Sequence, residues 1–518
     1  MKAGQTRRTA VAALLLAAAT GAAAQTGGPS GGAPPADPDS EAIAAAGAAM
    51  EAAADRVKDD PARPVFHFRP PACWMNDPTG TIFHKGWFHL FYQLNPYGDA
   101  WGETGTCWGH ARSRDLVHWE HLPVALHPRR DRGERRCNSG SMALDGVGRP
   151  ILFYTSVPDD AKARPREQWV AVACDDDLVR WERVAGNPVI PAGTDGGRHG
   201  SWGDPFLFRA DGRTFVTGKA SAAGIPVYEA QDASLTRWAY RGPLTGFNGE
   251  CPNFFPLGDR WVLLTSPHGQ VRWYAGTFDR AALAFKPERD GILDHSFGPK
   301  WPDKWSRGFY ATTVTFDPQG RCLLWGWASG FPKGRGWNGC LALPRVLTLG
   351  PDGRARQAPA PELQALRDRP VRVAGLTLDN AARLVEGADG DALEVKVAFA
   401  PAGARAFGLR LRRSADGRRA VVIRFTSDAV DVAGTIIPVA SRPLTLHLFL
   451  DRTLLEAFLD DGREAVTRVI EAAPGDAGVE LFAEGGAITV ESLDVWRMKP
   501  IWNADSRDSQ PEDPSSPR

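Results

Sequence analysis

Residues Asp115–Pro123 read DLVHWEHLP, and the pattern returns as DLVRWERVAGNPVI from Asp177 and as SLTRWAYRGPL from Ser234. The shared core is Leu-x-x-Trp, spaced roughly sixty residues apart, which is a period suited to one small sheet plus its loops. Between these copies lie short runs rich in Val, Ile, Phe, Trp and Thr, such as Thr81–Phe83, Trp87–Gln93, Pro150–Thr155, Thr214–Gly218 and Cys322–Trp327, separated by Gly, Asp and Pro. Such short, closely spaced runs predict an all-β chain. A repeat of four-stranded units over residues 63–357 predicts a five-bladed β-propeller, with Trp119, Trp181 and Trp238 packed between blades.

After Gln357 the texture changes. PAPELQALR reads as a short helical connector, and period-two strands such as LEVKVAF, FGLRLRR, LTLHLFLD and ITVESLDVWRM follow it. Residues 358–498 are therefore expected to form a connector and a C-terminal β-sandwich of two antiparallel sheets. At the other end, Lys2, Arg7 and Arg8 precede the apolar run Ala10–Ala19, and Ala22-Ala23-Ala24 supplies small residues for cleavage, so 1–24 reads as a signal peptide with a twin-arginine route open. That run is too short to remain as a membrane span, and a secreted or periplasmic protein is the expectation. Residues 25–62 read as a flexible linker with room for a short helix between Ser40 and Val57, and 499–518 as a disordered tail.

The 518 residues balance 61 basic against 61 acidic side chains, which gives no electrostatic reason to expect nucleic acid or an anionic membrane as partner. Eighteen Trp and 24 Phe leave aromatic faces to spare for a ring-shaped ligand after the core is filled. Seven cysteines without metal-type spacing are expected to be mostly buried, with at most one or two disulfides, and no metal or cofactor is expected.

In a propeller the first strand of each blade lines a central channel, so its inner end is where chemistry converges. Three acidic residues sit at such strand starts, each locked by a following proline. Asp77 lies in WMNDPTG, Asp204 in SWGDPFLF and Glu250 in GECPNFFPL.

These motifs in this order, with FHFRP before the first and FHLFYQLNP after it, resemble glycoside hydrolase family 32, the invertases, inulinases and levanases. The resemblance spans roughly Phe66 to Met498. It implies a retaining hydrolase of β-D-fructofuranosides such as sucrose, inulin or levan, with Asp77 as nucleophile, Asp204 as transition-state stabiliser and Glu250 as acid/base. A retaining mechanism asks for this pair of carboxyl groups, one bonding to the anomeric carbon and one carrying the proton. Apolar neighbours Cys251, Phe254 and Phe255 are expected to keep Glu250 protonated.

By the same resemblance, Asn76, Gln93, Trp101, Trp108, Ser139, Gly203 and Cys251 are the expected substrate-binding residues, with Trp101 and Trp108 as pocket walls; WNGCLALPR (337–345) matches the segment that closes the propeller. His110 and His118 are expected to be structural. The chain departs from the family pattern in four places: Thr79 replaces an asparagine, Asn138 a phenylalanine, Asn253 an aspartate and Gly203 an arginine. Loss of that guanidinium removes a charge beside the carboxylates, with Trp202 or Arg198 as candidates for its space. A fructosyltransferase and a non-catalytic fructan-binding homologue therefore stand as alternatives, with a propeller hydrolase of arabinofuranosides further off.

Overall fold

The computed structural model describes residues 38–102, 105–219, 223–247, 249–296, 308–439 and 444–502. The chain is nearly all β, a β-propeller followed by a β-sandwich.

The propeller is built from successive antiparallel sheets. The first contains β1 (Cys73–His84), β2 (Trp87–Asn95), β3 (Cys107–Ser113) and β4 (Trp119–Leu126); the second β5 (Glu134–Leu144), β6 (Pro150–Pro158), β7 (Glu167–Ala173) and β8 (Trp181–Arg183). The third follows with β9 (Gly203–Ala210), β10 (Arg213–Lys219), β11 (Ile225–Ala230) and β12 (Trp238–Thr245). The fourth has β13 (Glu250–Leu257), β14 (Arg260–Ser266), β15 (Arg272–Asp279) and β16 (Ala284–Ile292). The last has β17 (Gly308–Phe316) and β18 (Cys322–Ser329), then β19 (Trp337–Asn338), β20 (Cys340–Leu341), β21 (Arg345–Leu349) and β22 (Ala355–Pro359), of which β19 leaves to pair in parallel with β1. The first strands β1, β5, β9, β13 and β17 touch their neighbours in a closed circuit, and β19 on β1 ties the end of the propeller to its beginning. That tie covers a sheet edge that would otherwise expose unpaired backbone groups.

The Leu-x-x-Trp repeat is the device that enters the outer strand of the first three sheets. Leu116, Leu178 and Leu235 adopt left-handed conformations (φ 64°, 59° and 56°), and the indole N–H three residues on donates back to each leucine carbonyl at 3.2, 2.8 and 3.0 Å. An aspartate carboxylate ahead of each turn, Asp115, Asp175 or Asp232, accepts backbone N–H groups and offsets the cost of the leucine conformation. Each tryptophan then meets an aromatic of the neighbouring sheet: Trp119 against Trp325, Trp181 against Phe91 and Trp238 against Phe153, at centroid separations of 5.8, 5.7 and 5.3 Å in edge-on geometry. The expected inter-sheet packing is what the repeat does.

The connector is a 3₁₀ helix, Pro361–Leu366, and two six-stranded sheets enclose the sandwich core. Buried ions join the two domains. Arg345 bonds Glu456 and Asp294, and His67 places Nδ1 2.7 Å from Asp451 and Nε2 2.9 Å from Glu456, all of them inaccessible to solvent. Every donor of Arg345 used here has an acceptor, which is what makes burial of the guanidinium tolerable.

Two boundaries differ from expectation. Within the stretch read as a linker, Pro38–Val57 forms a 20-residue helix, α1, that buries Ala46, Ala53 and Val57 on the propeller and pairs Asp39 with Arg129 and Arg183. Its Ala-rich composition hid a contact face, since alanine needs little partner surface to pack closely. At the other end Ile501 is buried and Trp502 stacks on His121 at 4.9 Å, so the ordered chain runs past Met498. The signal-peptide reading lies outside the described residues, as does the tail from 503. All seven cysteines are free; Cys73, Cys107, Cys137, Cys322 and Cys340 are buried.

Candidate active site

Each first strand is interrupted at its channel end by a bulge. The ladder skips at Asn76-Asp77 in β1, at Ser139 in β5, at Asp204-Pro205 in β9, at Cys251-Pro252 in β13 and at Ala311-Thr312 in β17. Asp204, Cys251 and Ala311 take positive φ there (53°, 46° and 50°). A bulge turns a side chain out of the regular pleat, and four of these bulges aim their residues into a shared cavity, to which β17 adds Tyr310.

That cavity has a volume of about 1560 Å³, and Asp77, Asp204 and Glu250 all line it. Cys251 is their common neighbour: its N–H donates to Asp204 Oδ2 at 3.3 Å and its Sγ lies 3.7 Å from Asp77 Oδ2. A relay supports Asp77 from the other side, with Gln93 Nε2 donating to Ser139 Oγ and Ser139 Oγ donating to Asp77. The Asp204 turn rests on Thr155, whose Oγ1 accepts the Asp204 N–H at 3.0 Å and donates to Gln168. Glu250 accepts from Tyr310 Oη at 3.0 Å and from Lys219 Nζ, with His268 Nε2 3.3 Å away.

Electrostatics follow from this crowding. Burial raises the Asp77 carboxyl, the negative charges of Asp204 and Glu250 raise it further, and the hydrogen bonds from Ser139 and Cys251 only partly compensate, leaving it at about 7. Burial and the charge of Glu250 also raise Asp204, against the opposing pull of Lys219, the Cys251 N–H and Arg166.

Residues 67–359 match the Glycosyl hydrolases family 32 N-terminal domain, and residues 362–497 match the Glycosyl hydrolases family 32 C terminal. The chain belongs to glycoside hydrolase family 32. It is therefore a glycosidase. This family 32 chain is 30% identical to a levanase of Bacillus subtilis (strain 168), over 87% of its own length and 72% of the relative's. It is 28% identical to a sucrose-6-phosphate hydrolase of Escherichia coli, over 84% and 94%. Among solved structures, a family 32 β-fructofuranosidase of Bombyx mori in complex with sucrose superposes with a TM-score of 0.73 at 26% identity, covering 90% of this chain and 99% of that one.

The predicted subsite residues separate into three groups. Asn76, Gln93, Trp101, Ser139 and Cys251 line the cavity of this family 32 chain. Gly203 does not line it; it carries the Asp204 turn, and a Cβ there would stand 3.2 Å from Thr155 Oγ1. Trp108 is fully buried between the first two sheets and is no pocket wall: it sits opposite Gln93 in the unbroken β2–β3 ladder and packs in the inter-sheet layer with Phe91 and Tyr154. Its indole N–H donates to Asn138 O at 3.1 Å, so it props up the Ser139 bulge from beneath.

The expected apolar shell around Glu250 is also corrected. Phe254 and Phe255 are buried in the inter-sheet core, Phe254 against Trp261 and Phe255 against Phe316, and neither lines the cavity. Neither candidate fills the space of the missing arginine: Trp202 stacks on Tyr228 at 5.1 Å within the core, and Arg198 is outside the cavity lining. His110 is buried against Phe91 and His118 pairs with Asp115, both structural as expected.

Sequence reasoning passed over Lys219, Tyr310, His268 and Arg166, which also line the cavity, and gave Asn138 no place in it; Asn138 Oδ1 and Asn76 Oδ1 have no hydrogen-bond partner among the described residues. Lys219 ends an apolar strand, FVTGK, and a lone charge at such an end was the available signal.

Proposed function

We propose that this protein is a retaining hydrolase of β-D-fructofuranosides, working by double displacement through a covalent fructosyl-enzyme with no metal or cofactor. The observation that carries the reading is the gathering of Asp77, Asp204 and Glu250 about Cys251 at the mouth of one ring of bulged strands. Asp77 attacks the anomeric carbon, Glu250 protonates the departing oxygen and then activates water, and Asp204 holds ring hydroxyls as positive charge develops. Gln93 and Ser139 orient Asp77, while Asn76 and Asn138 line the cavity beside it. Trp101 at the rim, nearly half exposed, offers an aromatic face beside Arg136.

Fructan oligomers fit the site better than sucrose alone. The cavity continues from the carboxylates past Trp327 and Phe331 to Val421, Val422, Arg468 and Pro474 of the sandwich, and its volume exceeds the roughly 300–1,000 Å³ of a usual small-molecule pocket. The closed circuit of first strands supports reading the five propeller sheets as five blades over 63–357, with the sandwich at 358–498 as a rim to the cleft. The basic-then-apolar start of the sequence supports export, and no helix among the described residues is long and apolar enough to cross a membrane.

A panel of sucrose, inulin and levan with product identification tests the reading, run beside Asp77→Ala and Glu250→Ala. Release of fructose that either substitution lowers by several orders of magnitude is expected. Binding of fructan without turnover by the unaltered protein would overturn it, and sugar products longer than the substrate would mark transfer instead of hydrolysis.

A further inference from the structure

Lys219 stands directly across the β9–β10 ladder from Gly203. Its ammonium donates to Glu250 Oε1 and lines the same cavity as the three carboxylates. The position facing it is tight, with a Cβ there standing 3.2 Å from Thr155 Oγ1. A Cβ on Gly203 would press on Thr155, and Thr155 is fully buried, accepting from Asp204 N–H and donating to Gln168, so it has little freedom to yield. A site with three converging carboxylates needs a nearby cation, or mutual repulsion keeps too many of them protonated.

We propose that Lys219 is a positioning residue of this site, supplying from the strand opposite Gly203 the positive charge that keeps Asp204 ionised and steers Glu250. The proposal rests on the reading of Glu250 as acid/base and Asp204 as stabiliser. Lys219 does not bond to the reacting carbon; it acts through these two carboxylates.

Other groups bear on the same atoms. Glu250 also faces His268 from the loop after β14, Tyr310 from β17, Cys251 beside it, and the charges of Asp204 and Asp77 from β9 and β1. Arg166 adds a second positive charge felt by Asp204. Of these only Lys219 brings an ammonium onto Glu250.

The sign of its effect is definite. Removing the ammonium favours the protonated form of both carboxylates. The basic limb of the kcat/KM profile then moves up. Asp204 ionises later as well, so turnover falls further on the acid side, where protonation of Asp77 already limits it, and the acid limb moves up.

The experiment is the pH profile of kcat/KM for fructan hydrolysis by the full chain with Lys219→Met and Lys219→Arg, each checked for an unchanged melting temperature. Both limbs should move upward in Lys219→Met and stay near the unaltered positions in Lys219→Arg. A Lys219→Met profile lowered uniformly with its limbs in place overturns the proposal, and so does a Lys219→Arg profile displaced like that of the methionine variant. Should Lys219→Met fail to fold, Lys219→Gln carries the same readout with a similar length and no charge. Failure of the underlying reading looks different: Asp77→Ala or Glu250→Ala would then leave turnover intact, whereas failure of this proposal alone leaves those two variants inactive.

Discussion

The Sγ of Cys251 lies 3.7 Å from Oδ2 of Asp77, although the two residues are 174 positions apart and belong to the fourth and first sheets. The same residue donates its backbone N–H to Asp204. One cysteine, held in a left-handed conformation at a bulge, thus sets the spacing of two carboxylates from two other sheets.

Asp77, the proposed nucleophile, has its carboxyl at about 7 and on that reading must be ionised to attack. Its raised value means that the proton is retained below neutral pH, so kcat/KM is expected to rise with pH through about 7. Substrate excludes water and meets the same carboxylates, so this limb belongs to the free enzyme. Initial rates at substrate concentrations far below KM, taken from pH 5 to 9, check it; a rate flat across pH 6 to 8 would count against the crowding argument.

Ser139 donates to the ionised form of Asp77, and removing that donor favours the protonated form. Ser139→Ala should move the acid limb further up and reduce kcat/KM at pH 6 by roughly tenfold, with a smaller loss at pH 8. Gln93→Ala should act in the same direction but more weakly, since it reaches Asp77 only through Ser139.

His67 links the domains and gives a pH dependence of stability. Burial alone would lower its pKa, but the hydrogen bonds and charges of Asp451 and Glu456 together outweigh that and hold it up, at about 9 against 6.5. Because the folded value is the higher one, the contribution, about 3 kcal/mol, is fully present below pH 6.5 and is lost as pH rises through 9. The melting temperature should therefore fall between pH 7 and 9.5, and His67→Gln should flatten that fall while lowering stability at pH 6. A slope that is the same in both proteins would remove His67 as its cause.

Val422 lines the cavity on its sandwich side. Val422→Asp should raise KM several-fold for fructan oligomers and leave KM for sucrose unchanged, because a disaccharide at the carboxylates does not extend that far. Equal effects on both would place the longer chains elsewhere. In such a comparison an unchanged kcat identifies lost binding common to ground and transition states.

Trp181 carries the first two sheets' contact through Phe91 and its N–H bond to Leu178. Trp181→Ala should destabilise the protein by about 3–5 kcal/mol, read from denaturant unfolding, with kcat changed little in the molecules that remain folded.

Much of this was legible in the order of residues. Leu-x-x-Trp repeats and short β runs were enough for the all-β class and the inter-sheet tryptophans, because such packing depends on local turn chemistry and side-chain size. Asp77, Asp204 and Glu250 stood out because each precedes or nearly precedes a proline at a strand start. Trp108 and the shell of Glu250 were misread for one reason: whether a strand residue faces the cavity or the layer between sheets depends on how the sheets pack, which residue order does not show. The register of two strands was likewise hidden, which is why Lys219 opposite Gly203 escaped notice.

What the amino-acid order determined alone was local: which stretches extend, where they turn, and which acidic residues are conformationally locked. Tertiary structure alone decided which of those residues meet, since five bulges from distant strands must close on one ring before Asp77 can feel the charge of Glu250 or Glu250 can find Lys219. Turns are set by the torsional preferences of a few adjacent residues, whereas pKa and proximity depend on neighbours that only the packed sheets bring within a few ångströms.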